Sequence, residues 1–309
     1  MIKRIRDFLL EHPGMLAEIP IHEITDKHAR NLARNIDLEN KVTTTIAVTC
    51  SDSRNKAIRE LLYRIPGVRV YSNAGGIIYG DFYLTTIAFD HGTQCGARSY
   101  AENITEKGAK AITYPAFVNE VHPKMMENAE KQLNKVSEKY RGGIIYFQQE
   151  SGEISFKTHD KKGIKFQQSF ECERIINELA CLQYRYSKEE FAEMASGQNP
   201  HIILLTNGHI TYNADIFRVD LQNNDASHRI IYDSMNYAVS HALNGESSFK
   251  NTDAVIICLD KINHPIPRGF PGFFKKILPT LRSFVERGGE VLLVSVGSRE
   301  GEKRVYRVK

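Results

Sequence analysis

Short apolar runs alternate along the chain with stretches in which apolar residues recur at helical spacing. In the first half, the run TTTIAVTC at 43–50 is followed by a predicted helix from about Asn55 to Tyr63, and the run LTTIAF occupies 84–89. A longer polar stretch at about 119–140 also has the pattern of a helix. Strands that alternate with helices in this way are typical of an α/β fold built on a mainly parallel sheet.

The alternation resumes after a polar connector near residue 160. A helical stretch is followed by the strand-like run HIILLTNGH, and further helices are predicted at about 227–243 and 272–287. The strand-like runs TDAVIICLD and GGEVLLVSVG follow these two helices in turn. The repeated pattern predicts two α/β domains, 1–160 and 161–309, each a mainly parallel sheet flanked by helices.

Composition narrows the class of protein and of partner. The 309 residues are 41% hydrophobic, which is enough for a sizeable core, and the net charge of +4 comes without the long runs of like charge found in nucleic-acid-binding tails. The first apolar stretch, Phe8–Leu10, is too short for a signal peptide, and no run of about 18 apolar residues is present. Five scattered cysteines do not form a secreted disulfide framework. We expect a cytoplasmic protein with a small-molecule substrate, and neither nucleic acid nor membrane as a partner.

Potential metal ligands follow two of the predicted strands. Cys50 and Asp52 lie at the end of the first run, and His91 and Cys95 follow the second. Loops at the carboxyl ends of parallel strands lie at one edge of the sheet, and two thiolates with an imidazole suit Zn²⁺. The fourth zinc position is open to two alternatives: a water whose pKa the metal lowers to about 7, or Asp52 itself. Arg54 is the natural partner to draw that carboxylate away from the metal through a bidentate pair.

Three motifs give the first half a resemblance to a known family. CSDSR, NAGG and HGTQCGA, in that order, resemble the motifs of the β-class carbonic anhydrases, and the closing run GGIIYFQQESGEISF is similar to the last strand of that family. The resemblance covers about residues 44–156. It implies a zinc ion held by Cys50, His91 and Cys95.

The family also implies roles for the neighbouring residues. Asp52 and Arg54 would form the dyad that opens the metal to water, and Gly96 would line the substrate pocket. The implied enzyme is a lyase, carbonate dehydratase, which hydrates carbon dioxide reversibly. Zinc-bound hydroxide attacks the carbon, bicarbonate leaves, and a proton passes to solvent.

The first half departs from the family pattern in three places. His91 precedes Gly92 instead of following a glycine, and three residues rather than two separate it from Cys95. Ser72 stands where the family has arginine. The segment between NAGG and the second metal loop is also too short for a family helix that carries a pocket tyrosine in a YAV sequence.

The second half resembles a degenerate copy of the same family over about residues 170–309. GQNP, which includes Gln198, is similar to the GQxP that precedes the first strand in the family, and SMNYAVSHAL, which includes Tyr237, is similar to the missing helix. Asn207–Thr211 takes the place of CSDSR, so the metal-binding residues of that loop are lost. In the family, the corresponding glutamine and tyrosine reach into the pocket of a partner subunit.

The two halves have therefore lost complementary parts of one site. We expect an intramolecular pseudo-dimer with one composite site, in which the first half supplies the zinc ligands and the dyad, while Gln198 and Tyr237 supply an amide and an aromatic wall. By the same resemblance, the first 40 residues would be N-terminal helices that wrap the partner half. The layout resembles that of the carboxysomal carbonic anhydrases, and such pseudo-dimers are candidates for further homo-oligomers.

Two other functions stay open at the level of the sequence. A protein of this fold could hydrolyse carbon disulfide or carbonyl sulfide through a reshaped entrance. A non-catalytic zinc-binding or scaffold homologue would account for the altered HGTQC loop and for Ser72. Zinc content and the rate of carbon dioxide hydration separate these alternatives.

Overall fold

The computed structural model describes residues 14, 16–37, 45–73, 77–79, 85–89, 111–113, 142–148, 153–159, 170–187, 189–190, 193, 199–206, 209–210, 215–220, 227–246, 248–260, 270–296 and 303–309. The strands, numbered in chain order, are β1 (Leu16–Ile19), β2 (Ile36–Asp37), β3 (Thr45–Cys50), β4 (Val68–Asn73), β5 (Ile77–Tyr79), β6 (Thr85–Phe89), β7 (Ala111–Thr113), β8 (Gly142–Gln148), β9 (Glu153–His159), β10 (Ile202–Thr206), β11 (His209–Ile210), β12 (Ile216–Asp220), β13 (Ala254–Asp260), β14 (Glu290–Val296) and β15 (Lys303–Val308). The α-helices are α1 (Lys27–Asn35), α2 (Lys56–Tyr63), α3 (Phe170–Arg185), α4 (Ser227–Leu243) and α5 (Phe270–Glu286).

The chain divides into two compact units. The central unit is Lys41–Gly197, and the terminal unit combines Met1–Asn40 with Gln198–Lys309. The sequence predicts a boundary near 160 instead. The N-terminal segment belongs with the second half because the buried face of α1 packs on the sheet of that half. None of the helices that the structure describes is long and apolar enough to cross a membrane.

The sheet of the central unit has the strand order β4-β3-β6-β8-β9. The first four strands in this order run parallel to one another, and β9 pairs antiparallel with β8. All six residues of β3 are buried, as expected for a central strand of a parallel sheet that is covered on both faces. The short strands β5 and β7 form a separate antiparallel pair.

The main sheet of the terminal unit has the strand order β12-β10-β13-β14-β15-β1. Its strands β12, β10, β13 and β14 are parallel, and β15 pairs antiparallel with β14. The N-terminal strand β1 extends the sheet by pairing antiparallel with β15. A separate two-residue pairing joins β2 to β11.

The two units share one strand order. In each, the strands of the common five-stranded part lie in the spatial order 2-1-3-4-5 when numbered along the chain, with the fifth antiparallel. The registers also agree, because Thr45 pairs with the first residue of each neighbouring strand and Ile202 does the same. Counted from these positions, Cys50 corresponds to Asn207 and Phe89 to Cys258. The α/β fold with a mainly parallel sheet and flanking helices is therefore confirmed.

Helices cover both faces of the terminal sheet. On one face, α4 and α5 pack against the buried alternate residues of the parallel strands, which are Ile203, Leu205, Phe217, Val219, Val255, Ile257, Val291 and Leu293. On the other face, α1 packs through Ala29, Leu32 and Ala33 against the intervening residues. Side chains of successive strand residues point to opposite faces, so uninterrupted apolar runs fill both layers.

Most of the predicted elements within the described residues are confirmed. The helix predicted from Asn55 to Tyr63 is α2, and those predicted at 227–243 and 272–287 are α4 and α5. The sequence predicts helices throughout the first 40 residues, whereas the described part contains strand β1 before α1. The short run LAEI becomes a strand because β15 offers it a partner. The polar stretch at 119–140 lies outside the described residues.

Hydrogen bonds to the side chain of Glu290 connect the N-terminal segment to the terminal sheet. Its carboxylate accepts hydrogen bonds from the backbone N of Thr25 at 3.0 Å and of Asp26 at 2.9 Å, and from Nη2 of Arg307 at 2.7 Å. Asp26 in turn caps α1 by accepting a hydrogen bond from the backbone N of Ala29. Burial alone would raise the pKa of Glu290, but the bonds from Asp26, Arg307 and Thr25 to its charged form outweigh burial and hold the pKa below its ordinary 4.5.

Replacing Glu290 with glutamine keeps the size of the side chain and removes its charge. We expect Glu290→Gln to lower the free energy of unfolding at pH 7 by about 1.5–3 kcal/mol, the usual contribution of hydrogen bonds to a charged group. A folded-state pKa below the unfolded value stabilises the protein above 4.5, so the difference between wild type and variant should decline as the pH falls from 4.5 through the folded-state value.

Urea denaturation of both proteins over a range of pH measures this difference. Glu286→Gln is the matched control, because Glu286 is exposed at the end of α5. A difference that persists undiminished in acid would contradict the role given to Glu290.

Candidate functional site

The loop after β3 places a thiol and a carboxylate at the carboxyl edge of the central sheet. Cys50 is the last residue of β3, and Asp52 is the N-cap of a short 3₁₀ turn, Ser53–Asn55, that leads into α2. Cys50 is 4% exposed and Asp52 is fully buried. The backbone N of Ser51 donates to the carbonyl of Asn73 at 2.8 Å, which ties the loop to the end of β4.

Asp52 and Arg54 form a bidentate ion pair. One carboxylate oxygen, Oδ1, accepts from both the backbone N and the Nε of Arg54, at 2.9 and 3.0 Å. The other, Oδ2, accepts from Nη2 at 2.8 Å. The Arg54 side chain is only 9% exposed, so the pair is shielded from water and both carboxylate oxygens are engaged by the guanidinium. The pairing of these two residues expected from the CSDSR motif is therefore present in the structure.

A second arginine, which the sequence analysis does not single out, also binds this loop. Nη1 of Arg59 donates to the carbonyl oxygen of Cys50 at 3.2 Å and to that of Asp52 at 3.0 Å. Nδ2 of Asn55 donates to the carbonyl of Cys50 at 3.3 Å. The signal in the sequence is a charged residue on the apolar face of a predicted helix, one position after Ile58.

Ser72 has a partner that explains its place in β4. Its hydroxyl lies 2.8 Å from the hydroxyl of Thr49, and both residues are fully buried. The register sets Ser72 beside Thr49 on the neighbouring strand. The two hydroxyls therefore satisfy each other between neighbouring strands.

The corresponding edge of the terminal sheet contains different chemistry. Asp220 is paired in register with Thr206, as Ser72 is with Thr49. The guanidinium of Arg218, two residues earlier on β12, binds the carboxylate of Asp220 at 2.7–3.1 Å, and both residues are buried. This unit therefore has a buried ion pair within β12 at the sheet edge that corresponds to the position of Cys50 in the central unit.

Two buried polar atoms of the central loop lack a hydrogen-bond partner in the structure. They are Oγ of Ser51 and Oδ1 of Asn55, which flank Asp52 in the chain and belong to fully buried residues. Nearly all buried polar groups in native proteins are hydrogen-bonded to protein, to ordered water or to an ion.

One of the three expected zinc ligands, Cys50, lies within the described residues. Cys50 is a buried thiol at a strand end, and thiolates are preferred ligands of Zn²⁺. Phe89 pairs with Thr49, so the chain leaves β6 at the edge of the sheet where Cys50 lies. His91, Cys95 and Gly96 follow and lie outside the described residues. Among the side chains that the structure does describe, no three of His, Cys, Asp and Glu form a metal-binding group.

The pocket residues expected from the second half are only partly described. Gln198 lies outside the described residues. Tyr237 lies on α4, half-buried in the terminal unit, with its ring centroid 4.0 Å from that of His241, 6.2 Å from Phe249 and 6.3 Å from Phe217. These contacts hold the tyrosine ring within an aromatic cluster.

No protein-family model and no curated protein matches the chain. The interpretation of function therefore depends on the motifs and on the geometry of the loop after β3.

Breaking the Asp52–Arg54 pair from one side should be costly. Arg54→Gln leaves the buried carboxylate of Asp52 without its guanidinium, and we expect a loss of about 3–5 kcal/mol in the free energy of unfolding of the metal-free protein. The double variant Asp52→Asn with Arg54→Gln removes the uncompensated charge and should recover much of that loss. Urea denaturation of the four proteins of this cycle measures the coupling. Equal destabilisation of the single and double variants would show that the ion pair is not its source.

Proposed function

We propose that the protein is a zinc-dependent carbonic anhydrase that catalyses the reversible hydration of carbon dioxide to bicarbonate and a proton. The observation that carries the proposal is the buried carboxylate of Asp52, engaged through both oxygens by Arg54 and placed two residues after the buried thiol of Cys50. A thiolate at the carboxyl end of a parallel strand is a suitable zinc ligand, and a carboxylate bound by a guanidinium through both oxygens is kept from the metal.

Some residues of the central unit would bind the zinc ion, and others would control which group occupies its fourth position. Cys50, His91 and Cys95 would hold the zinc ion, which when bound supplies a Lewis acid that lowers the pKa of water and so provides a nucleophile at neutral pH. Arg54 competes for the carboxylate of Asp52, and this competition keeps Asp52 from serving as a ligand. Gly96 would line the pocket for the substrate.

We also propose that the two units act as an intramolecular pseudo-dimer. The shared strand order of the two sheets supports an origin by duplication of one fold. In this proposal the central unit supplies the zinc ligands and the dyad, while Gln198 and Tyr237 of the terminal unit supply an amide that binds substrate oxygen and an aromatic wall that keeps the pocket dry. The arrangement would leave one active site in each chain.

Zinc content and stopped-flow carbon dioxide hydration test the main proposal. We expect the purified protein to contain about one zinc ion per chain, as a site with three protein ligands would. Cys50→Ser should lose both zinc and activity because it removes a thiolate ligand. Cys181→Ser is the matched control, since that thiol is exposed, and it should keep both.

The outcomes separate the alternatives. A protein that contains no zinc would contradict any zinc enzyme at this site. Bound zinc without carbon dioxide hydration would contradict the carbonic anhydrase. If the zinc-containing protein then hydrolyses carbonyl sulfide or carbon disulfide, it is a hydrolase. If it turns over neither compound, it is a binding or scaffold protein.

The composite site has a test of its own. Gln198→Ala and Tyr237→Phe should each lower the rate of hydration while leaving zinc content unchanged, because both residues act on the substrate and not on the metal. Tyr232→Phe, on the same helix α4, is the control for loss of a tyrosine hydroxyl. If both pocket variants hydrate carbon dioxide at the wild-type rate, the pseudo-dimer proposal is wrong even if the zinc site is correct.

A further inference from the structure

Arg59 is a charged residue on the buried face of a helix. Helix α2 buries Ile58 and Leu62, and the chain after it buries Ile65, all at 2% exposure or less. Arg59 lies among them at 5% exposure. Arginine is seldom buried so completely unless its charge is compensated by hydrogen bonds or an ion pair, so its place on this face needs a specific reason.

The contacts of its guanidinium supply that reason. A single nitrogen, Nη1, donates to the carbonyl oxygens of Cys50 and Asp52, at 3.2 and 3.0 Å. These are the backbone groups of the proposed zinc ligand and of the carboxylate that competes for the metal. The two bonds close a bridge from the first turns of α2 back across the loop, so they fix the spacing between the two residues.

We propose that Arg59 is a positioning residue of the zinc site: it holds the backbone of Cys50 and Asp52 so that the thiol and the ion pair with Arg54 keep their places before metal binds. This inference rests on the proposed function. Groups outside the coordination sphere that orient metal ligands commonly contribute about 10–100-fold to metal affinity. Arg59 would act in this way through the backbone.

The geometry predicts which substitutions are tolerated. Both bonds come from one nitrogen, so the ammonium group of Arg59→Lys can donate to the same two carbonyls. Arg59→Met keeps the apolar stem of the side chain and loses both donors. Arg64→Met is the matched control, because Arg64 is exposed at the C-terminal end of the same helix.

Hydrogen exchange in the metal-free protein tests the inference without reference to activity. The amide of Arg54 is hydrogen-bonded within the loop and that of Ser51 to the carbonyl of Asn73, whereas the amides of Ala47 and Val70 lie in the paired strands β3 and β4. In Arg59→Met, exchange should accelerate about tenfold at the loop amides, the factor expected from the loss of two hydrogen bonds that hold the loop, and stay unchanged in the strands. Equal acceleration in loop and strands, or none in the loop, would overturn the inference.

Zinc affinity, measured by competition with a chelator, gives the second readout. Arg59→Met should bind zinc at least about tenfold more weakly than wild type, Arg59→Lys should recover most of the affinity, and Arg64→Met should match wild type. Failure of Arg59→Lys to improve on Arg59→Met would overturn the inference. If the variants change zinc affinity in this way but the protein does not hydrate carbon dioxide, only the proposed function is rejected. If the protein hydrates carbon dioxide but Arg59→Met leaves its zinc affinity unchanged, only the inference is rejected.

Discussion

The parallel pairing of β3 with its two neighbours is the constraint on which the candidate site depends. Thr45 is aligned with the first residues of β4 and β6, so all three strands deliver their following loops to one edge of the sheet. At this edge, Cys50 is paired in register with Asn73 of β4, and Thr49 with Phe89 of β6. A shift of one residue in this pairing would turn the buried side chains of β3 to the opposite face and move the loop that contains Cys50 and Asp52 out of register with the ends of β4 and β6.

The charged side chains of the loop are stabilised in the interior by hydrogen bonds of good geometry. The carboxylate of Asp52 accepts three hydrogen bonds from Arg54, and the guanidinium of Arg59 donates hydrogen bonds to two carbonyl oxygens. In the terminal unit, the buried charges of Arg218 and Asp220 are paired with each other within one strand. The same strand order thus supports a buried Asp–Arg pair in the loop after β3 of one unit and a buried Arg–Asp pair within β12 of the other.

Local patterns in the sequence predict much of the fold because its elements have strong local signals. The helical spacing of α4 and the apolar run of β13 are visible without any knowledge of their partners. Strand β1 is not visible in this way, since a four-residue run becomes a strand through a partner at the far end of the chain. At the site, the CSDSR motif predicts the pairing of Asp52 with Arg54. The role of Arg59 depends on burial and on the path of the loop, which are tertiary properties.

The pairing of β1 with β15 also bears on the order in which the chain acquires structure. Thr25 and Glu290 are separated by 265 positions, and the whole central unit is inserted between them. During synthesis, the central unit can therefore fold from contiguous residues. The N-terminal segment can pair with its partner strands only after the C-terminal residues have been synthesised. Closing so long a loop costs little more free energy than closing a shorter one, but contacts of this separation slow the search for the native state. We expect the terminal unit to be the later of the two to form, with residues 16–37 as its last piece to dock.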